Sequence, residues 1–143
     1  MTVAPATQRH VMVTGGRGYA DRARVFSALD QLHVLLPVTL LHHGGAHGAD
    51  SLGEDWAMAR QVPVVEHHAD WAKWGRSAGP IRNETMLKAA IERARATDGA
   101  DLVVVAFPGG IGTQDAVRRC RGKNVTVIEV VDNNQISMPW GRS

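Results

Sequence analysis

Apolar residues gather in five short runs, at 10–14, 38–43, 62–67, 102–106 and 124–131. The runs are rich in β-branched residues and too short for helices, so they read as strands buried on both faces. Between them the spacing changes. Val25, Leu29 and Leu32 recur at three- and four-residue intervals, as do Leu87, Ala90, Ile91 and Ala94, which predicts helices with one apolar stripe. The first is expected to start behind Asp21 and run to about His33. Others are expected at about 51–60, from Pro80 to about Ala96, and at 116–121, with Thr113 as N-cap and Gly122 just past the end. Strand and helix alternate five times. That pattern predicts an α/β fold of three layers, with a five-stranded parallel sheet in the order 3-2-1-4-5. Residues 10–131 would form one domain, with 1–9 a loose tail and 132–143 a second tail.

The polar breaks after the first, second and fourth runs are rich in glycine. Gly15, Gly16, Arg17 and Gly18 follow the first; Gly44, Gly45 and Gly48 precede Asp50 after the second; Pro108, Gly109, Gly110, Gly112 and Thr113 follow the fourth. A strand, a glycine loop and a helix start make an anion site: backbone N–H groups point at the guest, and the helix dipole favours negative charge. In a sheet of this order the three loops converge on one crevice, at the carboxyl ends of the strands where the order reverses. The first loop is not a dinucleotide fingerprint, since Asp21 stands where a third glycine is needed.

Side chains near these loops carry the candidate chemistry. Arg17 is either a phosphate ligand or a solvated turn residue. Asp50 either caps a helix or accepts bonds from ribose hydroxyls or a base. Arg82, with Asn83, falls early in a helix where a cation opposes the dipole, which suggests that it meets an anion or a carboxylate. Trp71 and Trp74 either pack beneath their connection or offer a stacking face. His42, His43 and His47 invite a metal reading, but neighbours on a strand point to opposite faces and no cysteine or carboxylate cluster is evident beside them. Neither metal nor bound cofactor is expected.

Composition narrows the setting. With 16 basic and 14 acidic residues the formal charge is only +2, which does not call for nucleic acid. Arg118, Arg119, Arg121 and Lys123 complement a helix dipole or form a small basic patch. Cys120 stands alone in a helical apolar pattern, as a small buried hydrophobe would. No run has membrane-spanning length and residues 1–9 have no signal-like apolar core, so a cytoplasmic protein without membrane partners is expected.

Taken together, Val13-Thr14-Gly15-Gly16-Arg17, His43-Gly44-Gly45, Gly48-Ala49-Asp50, Trp56-Ala57, Ala69-Asp70-Trp71, Gly79-Pro80-Ile81-Arg82-Asn83, Ala106-Phe107-Pro108-Gly109-Gly110 and Gly112-Thr113 resemble the YspA-like, cpYpsA-related branch of the SLOG superfamily. The resemblance implies a Rossmann-like fold and a small nucleotide or nucleotide-derived ligand, bound or sensed at these loops. It also suggests a homodimer or larger homo-oligomer. A second implication is hydrolysis of the base–ribose bond, as in the similar LOG phosphoribohydrolases, with Arg82 and Asp115 as catalytic groups. There the motif's glutamate position falls on Ala116, and Asp115 lies one residue earlier, a turn of about 100° around a helix. Single-strand DNA binding, as in the similar DprA proteins, is disfavoured by the balanced charge.

Overall fold

A computed structural model describes residues 4–131 and 136–137. Its elements are β1 (Gln8–Thr14), α1 (Arg22–Leu35), β2 (Val38–His43), α2 (Ala49–Ala59), β3 (Val64–Glu66), α3 (Trp71–Trp74), a 3-10 turn (Gly75–Ser77), α4 (Ala78–Arg95), β4 (Ala100–Ala106), α5 (Ile111–Gly122), β5 (Thr126–Val130) and β6 (Ile136–Ser137). The strands β3-β2-β1-β4-β5 lie in that order and are all parallel, as the alternation predicts. Two-residue β6 adds an antiparallel edge to β5, which the reading of 132–143 as a tail did not foresee. The remainder of that tail, and residues 1–3, lie outside the described residues.

Period-two alternation assigns each strand residue to one of two apolar layers. Val11, Val13, Leu41, Val103 and Val105 pack with Val25, Leu29 and Leu32 of α1 and with Trp56 and Ala57 of α2. Their neighbours Met12 and Val104 point the other way, onto Met86, Leu87 and Ala90 of α4 and Cys120 of α5. Burial of Cys120 pushes its thiol up to about 12, so it acts as an inert apolar group. Among the described residues no helix is long and apolar enough to cross a membrane.

Two boundaries differ from expectation for physical reasons. β1 begins two residues early because its polar start is paired: Arg9 makes a forked contact with Asp101 at 3.0 and 2.9 Å, and the Thr7 N–H reaches the Gly99 carbonyl at 2.9 Å. Beyond α5 it is Asn124, at φ 60°, that takes the left-handed turn, while Gly122 stays inside the helix.

Under α4 the sheet carries an unusual polar element. His10 and His42 are buried, with His10 Nδ1 and His42 Nε2 unpartnered among the described residues, and His42 Nδ1 lies 3.1 Å from Nε2 of His67. Burial, reinforced by the charges of His67, His10 and Arg93, lowers the His42 pKa to about 4. The unfolded chain binds this proton near pH 6.5, so stability is level above that pH and falls as pH drops from about 6.5 towards 4. The expected loss from His42 is about 3 kcal/mol over that window. Denaturant titrations at pH 7.5 and pH 4.5 check it: the wild type should lose stability, and His42→Leu should lose markedly less. Equal losses in both proteins would show that His42 is not the group being protonated.

Candidate functional site

Three loops meet at the carboxyl ends of β1, β2 and β4, and Gly16 joins them. Its N–H donates to the Pro108 carbonyl at 2.9 Å, and its carbonyl accepts from the Ala49 N–H at 3.2 Å. A Cβ on Gly16 would lie 2.9 Å from the Pro108 oxygen, and one on Gly48 would strike the Gly16 carbonyl oxygen. These positions are glycine because backbone passes against backbone. The loops enclose a cleft of about 480 Å³. It is lined by Gly15, Gly16 and Arg17 after β1, Ala46 and Asp50 after β2, and residues 110–113 after β4. Trp71, Arg76, Arg82, Asn83, Asp115 and Arg118 complete the wall.

Four of the residues singled out from the sequence stand behind the cleft. The carbonyl of Gly44 accepts from the Arg82 guanidinium, and Gly45, at φ +75°, turns the chain beside Glu66. Pro108 contributes its carbonyl to Gly16, and Gly109 packs against Thr113 and the Gly16 N–H. They shape the loops and do not line the cleft.

At the start of α5 the expected cap is replaced. Gly110 is the N-cap, with φ −101° and ψ −142°, so the helix begins at Ile111 and Thr113 is its third residue. Packed against Gly109, the Thr113 hydroxyl does not cap, and no other side chain does. The first-turn N–H groups therefore open towards the cleft with the positive end of the dipole behind them. A Cβ on Gly110 or Gly112 would meet nothing within 4 Å, so neither glycine is required by packing.

Arg82 does not sit in the first turn of α4, as anticipated, but in the second, because the helix starts at Ala78. Its Nη1 donates to the Gly44 carbonyl and its Nε to the Asn83 side-chain oxygen at 3.1 Å. Among the described residues it thus meets a carbonyl and an amide oxygen and hydrogen-bonds to no carboxylate, although its position suggested an anion or a carboxylate. Asn83, buried, donates to Asp115 Oδ2 at 3.0 Å and to the Gly112 carbonyl at 3.2 Å, locking α4 to the start of α5. Asp115 also accepts from Arg118 at 2.7 Å and Arg119 at 2.9 Å. Burial alone would raise its carboxyl, but the Arg119 and Asn83 hydrogen bonds and the adjacent guanidinium charges outweigh that and hold it below the ordinary range.

Asp50 is not the N-cap of α2; Gly48 holds that position. Instead Asp50 Oδ2 reaches back across the loop and accepts from the Gly44 N–H at 3.1 Å and the Ala46 N–H at 3.3 Å. Burial raises its pKa, opposed by the Ala46 N–H and by the charges of His43 and Arg82. Packing of the tryptophans beneath their connection is not observed. Trp71 is 48% exposed, since α3 is a single turn capped by Asp70 and buries no residue. The Arg17 guanidinium carbon stands 5.2 Å from the Trp71 ring centroid, and both border the cleft.

Arg76 and Arg118 were not singled out as cleft residues. Arg76 gave no periodic signal, being in the 3-10 turn; Arg118 was grouped with the cations of the helix end, although it lies one turn after the Asp115 level on the cleft side. A carboxylate group also forms where the sequence gave no sign of one. Glu54 and Glu66 approach His43 Nε2 at 2.8 and 3.8 Å, and His68 meets Glu66 at 2.6 Å. The Gly45 N–H donates to His43 Nδ1 at 2.9 Å, so Nε2 carries the ring proton and offers no lone pair to an ion. The cluster braces the loop after β2.

The model of the YspA, cpYpsA-related SLOG family matches residues 9–74, which include the first two loops and Trp71. The gene 61 protein of Mycobacterium phage D29 is 36% identical over 132 residues, covering 87% of this chain and 98% of its own length.

Proposed function

The chain belongs to the YspA, cpYpsA-related SLOG family, and on that premise we propose that it binds or senses a nucleotide or nucleotide-derived ligand in the cleft. The observation that carries the reading is the start of α5 in the cleft wall, where no side chain among the described residues caps the helix and a Cβ on Gly110 or Gly112 would meet open space. A phosphate fits there chemically: it takes N–H bonds, favours the dipole, and finds Arg17, Arg76 and Arg118 along the same wall. Trp71 offers a face for a base once Arg17 moves towards phosphate. Thr113, Gly15 and Gly16 complete the cradle, and Asn83 holds it in register.

Binding without turnover is favoured over base–ribose hydrolysis by the state of Asp115, whose carboxylate is shared among Asn83, Arg118 and Arg119. A general base needs a pKa near the working pH, and these hydrogen bonds and guanidinium charges hold Asp115 below even the ordinary carboxylate range. Thermal-shift and calorimetric titration with nucleoside mono-, di- and triphosphates tests the proposal. At least one should bind and raise the melting temperature; no shift with any of them would refute it.

A further inference from the structure

We propose that Asp50 sets ligand specificity, by accepting a hydrogen bond from an uncharged donor on the ligand. This rests on the proposed nucleotide reading and adds to it a requirement on the ligand's non-phosphate part. The two carboxylate oxygens of Asp50 have different tasks. Oδ2 accepts both loop N–H groups, from Gly44 and Ala46, which fixes the side chain's orientation. Oδ1 accepts no hydrogen bond among the described residues, although Asp50 is only 5% exposed and lines the cleft. Among the described residues the sealed, unpartnered polar atoms are His10 Nδ1 and His42 Nε2, so Oδ1 is reachable from the cleft, and a ligand donor there makes a charge-assisted hydrogen bond.

The surroundings decide what kind of donor. The Arg82 guanidinium acts on Asp50 through its charge, but it donates to Gly44 and Asn83 and makes no ion pair with Asp50. Arg17, Arg76 and Arg118 give the cleft a cationic field, which disfavours an ammonium group on the ligand. A hydroxyl or an exocyclic amine suffers no such repulsion. In a nucleotide these are a ribose hydroxyl or the amino group of the base. The chemistry is the same, and analogues separate the two sources.

Asp50→Asn is a sharp probe. The amide oxygen keeps the Gly44 and Ala46 N–H bonds, because turning the NH₂ towards them would set donor against donor. The NH₂ then faces the cleft, so an acceptor becomes a donor while the loop is retained. Calorimetry should use adenosine 5′-monophosphate, its 2′-deoxy and 3′-deoxy forms, inosine 5′-monophosphate and inorganic phosphate, on wild type and Asp50→Asn. In the wild type one change, removal of a hydroxyl or replacement of the amine by an oxo group, should weaken binding roughly 10- to 100-fold. A loss with a deoxy form assigns the ribose, and a loss with inosine monophosphate assigns the base. In Asp50→Asn that preference should vanish, while the folded protein still binds phosphate and no more weakly than the wild type, since a negative charge has left the cleft. If the nucleotides bind but all arms are equal, or Asp50→Asn keeps the wild-type preference, Asp50 does not read the ligand and the phosphate cradle stands. If phosphate and every nucleotide fail to bind, the nucleotide reading falls and takes this inference with it.

Discussion

Gly110→Val is expected to remove nucleotide binding while leaving a folded protein. A Cβ there meets nothing within 4 Å beyond its chain neighbours, and the position lines the cleft at the start of α5. Its φ of −101° is ordinary but its ψ of −142° lies outside the regions that branched residues favour, so some backbone strain adds to the roughly 1 kcal/mol lost with a glycine N-cap, and the melting temperature is measured beside the affinity. The isopropyl group would prevent a phosphate from reaching at least two backbone donors. Charge-assisted bonds of this kind are worth about 1.5–3 kcal/mol each, so affinity should fall roughly 10²- to 10⁴-fold. Gly122 supplies a control on the same helix. A Cβ there also meets nothing, it lines no part of the cleft, and Gly122→Ala should raise stability by about 0.5–1 kcal/mol without altering binding. Calorimetry on both variants checks the pair. Unchanged affinity in a folded Gly110→Val protein would move the phosphate elsewhere.

How far the sequence foretold this arrangement depends on the kind of signal each part leaves. Strand order and layer assignment rest on periodicity and on the alternation of Val11, Met12 and Val13, which hardly depend on distant residues. Convergence of the glycine loops then follows from topology. Side-chain partners carry no such local signature. Nothing in the spacing indicates that Asp50 turns back to Gly44 and Ala46 and leaves the α2 cap to Gly48. The Glu54–His43 contact joins residues on different elements and is likewise invisible in one dimension. Thr113 misleads because capping preference is weak beside the backbone freedom of Gly110, which caps the helix three residues earlier. Trp71 was open between core and surface because its burial depends on whether α3 is long enough to bury a face.

The same distinction bears on catalysis, where Asp115 decides. If the chain were a base–ribose hydrolase using Asp115, then Asp115→Ala would lower turnover by about 10²- to 10⁴-fold, the usual loss for a general acid–base group. The geometry leads to a different expectation. Asp115 is a buried junction whose removal takes one partner from the Asn83 amide and leaves Arg119, among the described residues, with Glu84 alone, while its contact with the mostly exposed Arg118 adds little. Asp115→Ala should therefore destabilise the fold by about 3 kcal/mol, near 10 °C in melting temperature. Nucleotide affinity should decline only as far as Asn83 loosens the Gly112 carbonyl at the start of α5. Wild-type protein incubated at length with nucleoside monophosphates should release no free base by chromatography. Steady base release that disappears in Asp115→Asn, at unchanged melting temperature, would assign the carboxylate to chemistry and overturn the binding-only reading. A large drop in melting temperature with no base release from either protein would place Asp115 in the scaffold that holds the phosphate cradle against α4.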